Sequence, residues 1–299
     1  MKKGNNKLRG MILAIMGGVF WGISGVVAEY LMRNENISAS WLVGVKMMVA
    51  GCLILLYQMI KGNKNSLSPF KYKHEIIQLI IFSVLGVLGL QYSFFKAIQV
   101  SNAATATILQ YLSPILLVVY FIFEKRELPN KLSIVSILIS LVGTFLLVTK
   151  GNINELAISS QGLFWGLLSA FLGAFYIIQP RKLMAKYGTT LIIGWGMLIG
   201  GIVFQLYQPI WRNMPEFTPR IVLGVLVITI IGTVFSYICL LTSTEYIPPQ
   251  FSSLLTSFEP LSSAVLSVLF LGLVLTPIEI ISMLLIVLAV FLLSRCDIS

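Results

Sequence analysis

The chain has 299 residues, of which 57% are hydrophobic and only 11% charged. Soluble domains carry about 25% charged residues, so that class is excluded. Apolar blocks of roughly 20 residues, enough for a helix to cross about 30 Å of hydrocarbon, predict an all-α membrane protein. The formal net charge is +10, and its distribution, taken up below, does not point to nucleic acid.

Apolar runs between polar breaks predict ten transmembrane helices. The first, 10–32, contains "FWGISG" with Trp21, a pair of small residues four apart (Gly18 and Gly22), and Glu29 near its far end. No small-x-small cleavage pattern follows it, so it is read as a retained helix. The second, 39–60, holds Lys46 about seven residues inside and ends at the polar stretch "KGNKNSLSPFKYKHE". The third, 76–97, carries Gln91 and Tyr92. The fourth, 103–123, follows from "SNAATATILQYLSP" and carries Gln110, Tyr111 and Pro114. The turn "EKRELPNK", with Glu124 to Glu127, reads as a solvated loop. After the fifth, 131–149, the sixth, 161–180, opens on a second "FWG" with Trp165 and carries Tyr176 and, at its end, Gln179. The seventh, 189–211, has the small pair Gly196 and Gly200. The eighth, 220–243, has Tyr237. The ninth, 249–271, has Phe258, Glu259 and Pro260, with Ser252, Ser253, Ser257, Ser262 and Ser263 keeping it thin. The tenth is 276–294.

With the N-terminus inside, fifteen basic residues fall in cytoplasmic segments and five outside, Lys46 lying within a span. That bias predicts a cell-membrane protein with both termini cytoplasmic. It also accounts for the basic excess without a nucleic-acid partner, leaving the lipid bilayer as the partner of those charges. The cysteines Cys52, Cys239 and Cys296 are isolated and read as packing residues.

The halves resemble each other. "VFWGI" at 19–23 recurs as "LFWGL" at 163–167, and "LYQ" at 56–58 recurs at 206–208. Gly86, Pro114 and Phe145 match Gly232, Pro260 and Phe291, each 146 residues on. The ordered matches predict two repeats, 9–149 and 160–295. An odd helix count per repeat turns the second upside down, an arrangement typical of transporters that rock about a site between the halves.

Glu259 is the sharpest candidate. An ionised group at mid-depth costs at least about 2.5 kcal/mol, so it must face a cavity or a partner, and protonation would relieve the cost. Pro260 frees the carbonyl of Thr256, and Pro114 that of Gln110. Such carbonyls are tolerated in a membrane only where protein or cavity water satisfies them. Lys46 either has a binding or gating role, or snorkels outward or pairs with Glu29. The residues Gln110, Tyr111, Gln91, Tyr92, Trp21, Trp165, Tyr176, Tyr237 and Phe258 sit at compatible depth. They would make an aromatic box holding an amine by cation–π contact and Coulomb attraction; packing or interface anchoring is the competing reading for each aromatic.

The "FWGISG", "SNAATATILQYLSP", "FWG" and "FEPLSSAVLS" segments resemble the EamA-like drug/metabolite transporter superfamily, in its ten-helix branch and its YicL-like members. The similarity runs over nearly the whole chain. The resemblance implies spans 3–4 and 8–9 around a central cavity and the export or exchange of small metabolites. It also implies a Glu about 13 residues past each central proline, which Glu127 supplies in the first half and Leu273 does not in the second. Where Lys46 stands the family commonly has Arg.

Catalysis finds no support. There is one histidine, His74, no cluster with metal-ligand spacing, no nucleophile–base pair and no P-loop, so neither enzyme activity, metal nor cofactor is expected. The expected function is secondary-active transport of a small amine-bearing metabolite such as an amino acid, by alternating access with proton coupling through Glu259. A broad exporter of cationic drugs and a non-transporting membrane scaffold or lipid-handling protein are the alternatives, and a monomer or homodimer is expected.

Overall fold

The computed structural model describes residues 2–61, 66–125, 131–150, 152, 157–212, 214–248, 252 and 255–294. Glu127, Arg126, Lys64, Arg295, Cys296, Ser253 and the first residues of the ninth predicted span, 249–251, lie outside the described residues. Within them the chain is helical, without strands.

The helices are α1 (Lys2–Asn34), α2 (Ala39–Ile60), α3 (Lys73–Val100), α4 (Ala103–Gln110), α5 (Ser113–Lys125), α6 (Lys131–Thr149), α7 (Ser160–Ile178), the short α8 (Arg181–Tyr187), α9 (Thr189–Tyr207), α10 (Pro219–Ser243), α11 (Phe258–Leu271) and α12 (Pro277–Ser294). Eight helical stretches are long and apolar enough to cross a membrane, α4 and α5 counting as one; α11 and α12 are shorter apolar helices. A broad set of exposed large apolar side chains, among them Leu141, Phe171, Leu206 and Phe270, belts the bundle. In water such a belt would aggregate; in a bilayer it is the lipid face.

The helix starts follow from local chemistry. Ser38, Asn102, Ser159 and Thr218 each accept a hydrogen bond from a backbone N–H in the first turn of α2, α4, α7 and α10, satisfying donors that the helix itself leaves free. Two glycines end helices: Gly188 (φ 89°) separates α8 from α9, and Gly272 (φ 67°) closes α11 in a conformation that a Cβ would oppose.

Helix α1 packs on α10 and α11. Likewise α7 packs on α3 and on α4 with α5. Helix α2 pairs with α9, and α6 with α12. Small residues set these distances. A Cβ on Gly18 would meet Thr256 and Glu259 atoms at 3.1–3.3 Å, and one on Gly22 would meet the Glu259 carbonyl at 2.8 Å as well as Ser262. Gly200 lies against the Ser83 carbonyl, and Gly196 against Phe82 and Val87. Both predicted small pairs are therefore helix-approach residues. Cys52, by contrast, is exposed rather than packed.

Helices α3 and α10 each widen into a π-helical stretch, at Phe82–Leu88 and Val227–Phe235. In the second, Thr233 and Ser236 hydroxyls donate to carbonyls five residues back, Ile228 and Ile231, at 3.0 Å each. Such bulges gather at functional sites because they turn side chains off the regular helical stripe.

One end of the bundle is held by ion pairs and hydrogen bonds between helices. Glu29, 1% exposed, accepts the Ala103 N–H at 2.7 Å at the start of α4. Arg33 reaches Glu29 at 3.1 Å and donates to the Ser101 carbonyl at 3.2 Å. Lys150 pairs with Glu279 at 2.9 Å, and the Trp41 indole donates to the Ile210 carbonyl at 2.9 Å. The pairing of Glu29 with Lys46 is thus not formed. Arg33, one helical turn along α1, is the nearer cation. Glu29→Ala would leave the buried Ala103 N–H without its acceptor, and we expect it to cost about 1–3 kcal/mol of stability, measured by thermal unfolding in detergent.

At the other end, Lys186 of α8 meets Glu75 at 2.7 Å, and the Tyr187 hydroxyl donates to the same carboxylate at 2.5 Å. Hydrogen bonding to Glu75 and Tyr187 holds the Lys186 ammonium's pKa above lysine's ordinary value.

Candidate substrate cavity

A cavity of about 1120 Å³ occupies the middle of the bundle. Its walls come mostly from α3, the α4–α5 pair and α10, with Glu259 from α11, Lys46 from α2 and Trp21 from α1. It extends to Met184 of α8 and Thr189 at the start of α9, hence towards the end opposite the Glu29 tie.

Two broken helices supply its polar rim. α4 ends at Gln110 and α5 begins at Ser113, with Pro114 in its first turn. The Gln110 carbonyl that proline leaves unpaired lies 2.9 Å from the Ser113 hydroxyl, which also lies 2.8 Å from the Ala170 carbonyl of α7 and donates to one of them at a time. Around Pro260 the Thr256 carbonyl accepts the Glu259 N–H at 2.8 Å. Both freed carbonyls therefore find donors within the protein, as a low-dielectric interior requires. Ser113→Ala removes one of them, and we expect about 1–3 kcal/mol lower stability, read as a lower unfolding temperature.

The ninth segment differs from the continuous span predicted for 249–271. A turn at Thr256–Ser257 precedes α11, so Glu259 stands in the first turn of a new helix rather than ten residues into an old one. That position suits a carboxylate, because the unpaired N–H groups of a helix start present partial positive charge. Among the described residues the Glu259 carboxylate has no hydrogen-bond or ion-pair partner. It is half-buried and borders the cavity.

Lys46 is 4% exposed. It neither snorkels nor pairs with Glu29. Its ammonium donates to Gln91 Oε1 at 2.8 Å and lies 4.4 Å from the centre of the Phe95 ring. Gln91 and Phe95 are four apart on α3 and so share a face. Lys46 and Glu259 act on each other across the cavity without a direct ion pair. Tyr111 donates to Ser257 at 3.2 Å and lies 3.4 Å from the Thr256 hydroxyl. The Tyr176 and Tyr237 hydroxyls are 3.2 Å apart, and Trp21 meets Tyr237 edge-on at 5.6 Å. Gln110 borders the cavity with a buried side-chain oxygen that has no hydrogen-bond partner among the described residues.

Of the residues singled out from the sequence, Glu259, Lys46, Gln110, Tyr111, Gln91, Trp21, Tyr176, Tyr237 and Pro114 come together around this cavity. Five do not. Tyr92 points from α3 towards Trp165 (5.5 Å) and Phe204 (5.4 Å), an aromatic packing cluster between helices. Trp165 is in that cluster. Phe258, adjacent to Glu259, is rotated about 100° away on the helix, is exposed and does not line the cavity. Pro260 is buried in packing. Gln179 donates to the Gln78 carbonyl at 2.9 Å rather than lining the cavity. Phe95, Thr107 and Ser24 line it unforeseen. For Phe95 the spacing from Gln91 was the available signal.

Apolar helices around a cavity that holds Lys46 and Glu259, with ion pairs and hydrogen bonds across one end, fit a multi-pass membrane transporter. Residues 8–149 and 160–295 match the EamA-like transporter family, and the chain belongs to that family. It is 38% identical over 286 residues to the uncharacterized inner membrane transporter YicL of Salmonella typhimurium, covering 96% of this chain and 95% of that one. It is 24% identical over 219 residues to the threonine/homoserine exporter RhtA of Escherichia coli K12, covering 71% of this chain and 68% of that one. A solved crystal structure shares the fold with a TM-score of 0.66 at 17% identity, over 95% of this chain and 96% of that one.

Proposed function

We propose that the protein is a secondary transporter of a small amine-bearing metabolite, amino acids foremost. Its ten spans work as two inverted repeats, 9–149 and 160–295, with both termini cytoplasmic. The observation that carries the reading is the unpartnered Glu259 carboxylate bordering a cavity that also holds Lys46. Glu259 takes the ammonium of the cargo. Lys46, held ready by Gln91, takes a carboxylate where the cargo has one. Trp21, Tyr176 and Tyr237 flank the cation with ring faces and hydroxyls. The kinship with a threonine/homoserine exporter supports amino acids as the first class to test.

Several features support the repeat. The family match falls in two stretches. The packing of α1 on α10 and α11 parallels that of α7 on α3 and α4–α5. The two π-helical stretches contain Gly86 and Gly232, which are 146 residues apart. Tyr111 bonds Ser257, its own counterpart at that offset, as expected of a residue near a two-fold axis. In the proposed orientation the cavity faces the cytoplasm, and export requires the Glu29–Arg33–Ala103 tie to open. Glu259 trades a proton for cargo as the cavity changes side.

The test is a ligand panel on purified protein. Amino acids and primary amines should raise the unfolding temperature, by up to about 2.7 kcal/mol of apparent stability at a hundredfold excess over Kd. Hits should then show saturable flux in vesicles. A flat response across aromatic cations would favour drug export instead. In a background with Cys52, Cys239 and Cys296 replaced, Gln110→Cys should react with a water-soluble thiol reagent. Protection from the reagent, with no ligand and no flux, would refute the reading in favour of a scaffold.

A further inference from the structure

A second, smaller cavity of about 120 Å³ lies between α2, α9 and α10. Its position follows from the helix ends: Lys61 stands just past the end of α2, Thr190 at the start of α9, and Glu245 just past the end of α10. These ends belong to the side of the bundle that carries α8, where the spanning stretches of α2 and α10 end and α9 begins. The inner wall is apolar, from Ile54, Val234 and Ile238. Met59 and Ile60, beside it on α2, are exposed apolar side chains that lipid must cover.

The charges at its mouth are of opposite sign and unspent on each other. Lys61 and Glu245 both line the groove, yet no ion pair of 4 Å or less joins them. Lys61 instead sits over the Tyr57 ring at 5.0 Å. The groove has about a tenth of the main cavity's volume, room for a headgroup rather than a whole lipid.

We propose that this groove is a binding site for phosphatidylethanolamine. The phosphate meets Lys61, the primary ammonium meets Glu245, and the first methylenes of an acyl chain lie along Ile54 and Ile238. The pairing discriminates among lipids. Phosphatidylglycerol brings a phosphate but no cation, and its net negative charge faces Glu245. Phosphatidylcholine brings a cation without N–H donors, so it cannot hydrogen-bond the carboxylate. The site stands apart from the cargo reading, but it abuts the main cavity, since Ile193, Tyr237 and Leu241 line both. A lipid seated here therefore lies behind the hydroxyl that Tyr237 presents to Tyr176.

The experiment is thermal unfolding of the delipidated full chain in micelles titrated with each of the three lipids, with matched acyl chains, and with glycerophosphoethanolamine. Phosphatidylethanolamine should give the largest shift. Lys61→Gln should weaken its apparent affinity by roughly fivefold, the worth of one exposed charge pair, and Lys61→Arg should restore it. Glu245→Gln should weaken phosphatidylethanolamine and strengthen phosphatidylglycerol. Lys182→Gln, at an exposed lysine outside the groove, should change nothing. The proposal is overturned by equal shifts from all three lipids, by indifference to Lys61→Gln and Glu245→Gln, or by a full shift from glycerophosphoethanolamine, which lacks acyl chains.

Discussion

Glu259→Gln is expected to lower the affinity for an amine cargo by roughly thirtyfold or more. The variant keeps the shape and most of the polarity but removes the charge. The lost contact lies in a cavity inside the helix bundle. Removing one partner of a desolvated, hydrogen-bonded charge pair costs about 2–5 kcal/mol, which is where the fold-change comes from. Stability should change little, because the carboxylate has no hydrogen-bond or ion-pair partner of 4 Å or less to lose among the described residues, and the relieved desolvation cost offsets the lost longer-range attraction to Lys46. That split between binding and stability distinguishes a cargo ligand from a structural acid. The same variant tests proton coupling. If Glu259 carries the proton, uphill flux in vesicles should vanish and the remaining downhill flux should no longer depend on pH. A Gln variant that still concentrates cargo with an unchanged pH profile would sink the coupling mechanism while leaving the binding role open to the affinity measurement.

Gly22→Ala is the largest expected effect from a residue that touches no cargo. The new methyl would sit 2.8 Å from the Glu259 carbonyl oxygen and collide with Ser262. The Ser262 side chain can rotate, but the carbonyl belongs to the backbone, so α1 and α11 must separate. Overpacking of this kind costs about 1–3 kcal/mol. Because the displaced backbone is that of Glu259, cargo affinity should fall together with unfolding temperature. Gly18→Ala is the internal comparison: its methyl meets Thr256 and Glu259 atoms at 3.1–3.3 Å, which a few tenths of an ångström would relieve. A smaller loss in both readouts is expected there. Equal losses at the two positions would show that the α1–α11 contact is looser than the structure has it.

Much of the architecture was legible from residue order. Eight of the ten apolar runs correspond to unbroken helical stretches, most of their ends displaced by only a few residues, because hydrocarbon leaves a spanning backbone few choices besides helix; the fourth breaks between Gln110 and Ser113. The ninth run departs. Nothing in its apolar composition told that the helix would restart at Phe258 and place Glu259 at a helix start. Proline marks where a break can lie, while the turn at Thr256–Ser257 also depends on Tyr111 and α1 packing against it. The same division holds among the aromatics. Trp21, Tyr176 and Tyr237 reached the cavity, whereas Tyr92 and Trp165 closed on each other and on Phe204. All five have suitable depth and chemistry, and depth alone does not say which way a helix is turned about its axis.

The sequence by itself determined the membrane class, the placement of most spans, the likeness of the halves, and the presence of two charges too costly to leave in hydrocarbon. Those are consequences of composition and length, which transfer free energies read one residue at a time. Only the tertiary structure decided what the charges do: Glu29 is taken by Arg33 and Ala103, which leaves Lys46 to Gln91 and Phe95 and leaves Glu259 bordering the cavity. A buried polar group takes whichever partner the packing brings within about 3 Å, and that distance is a property of helix rotation and approach. Neither is written in the order of residues along any one helix.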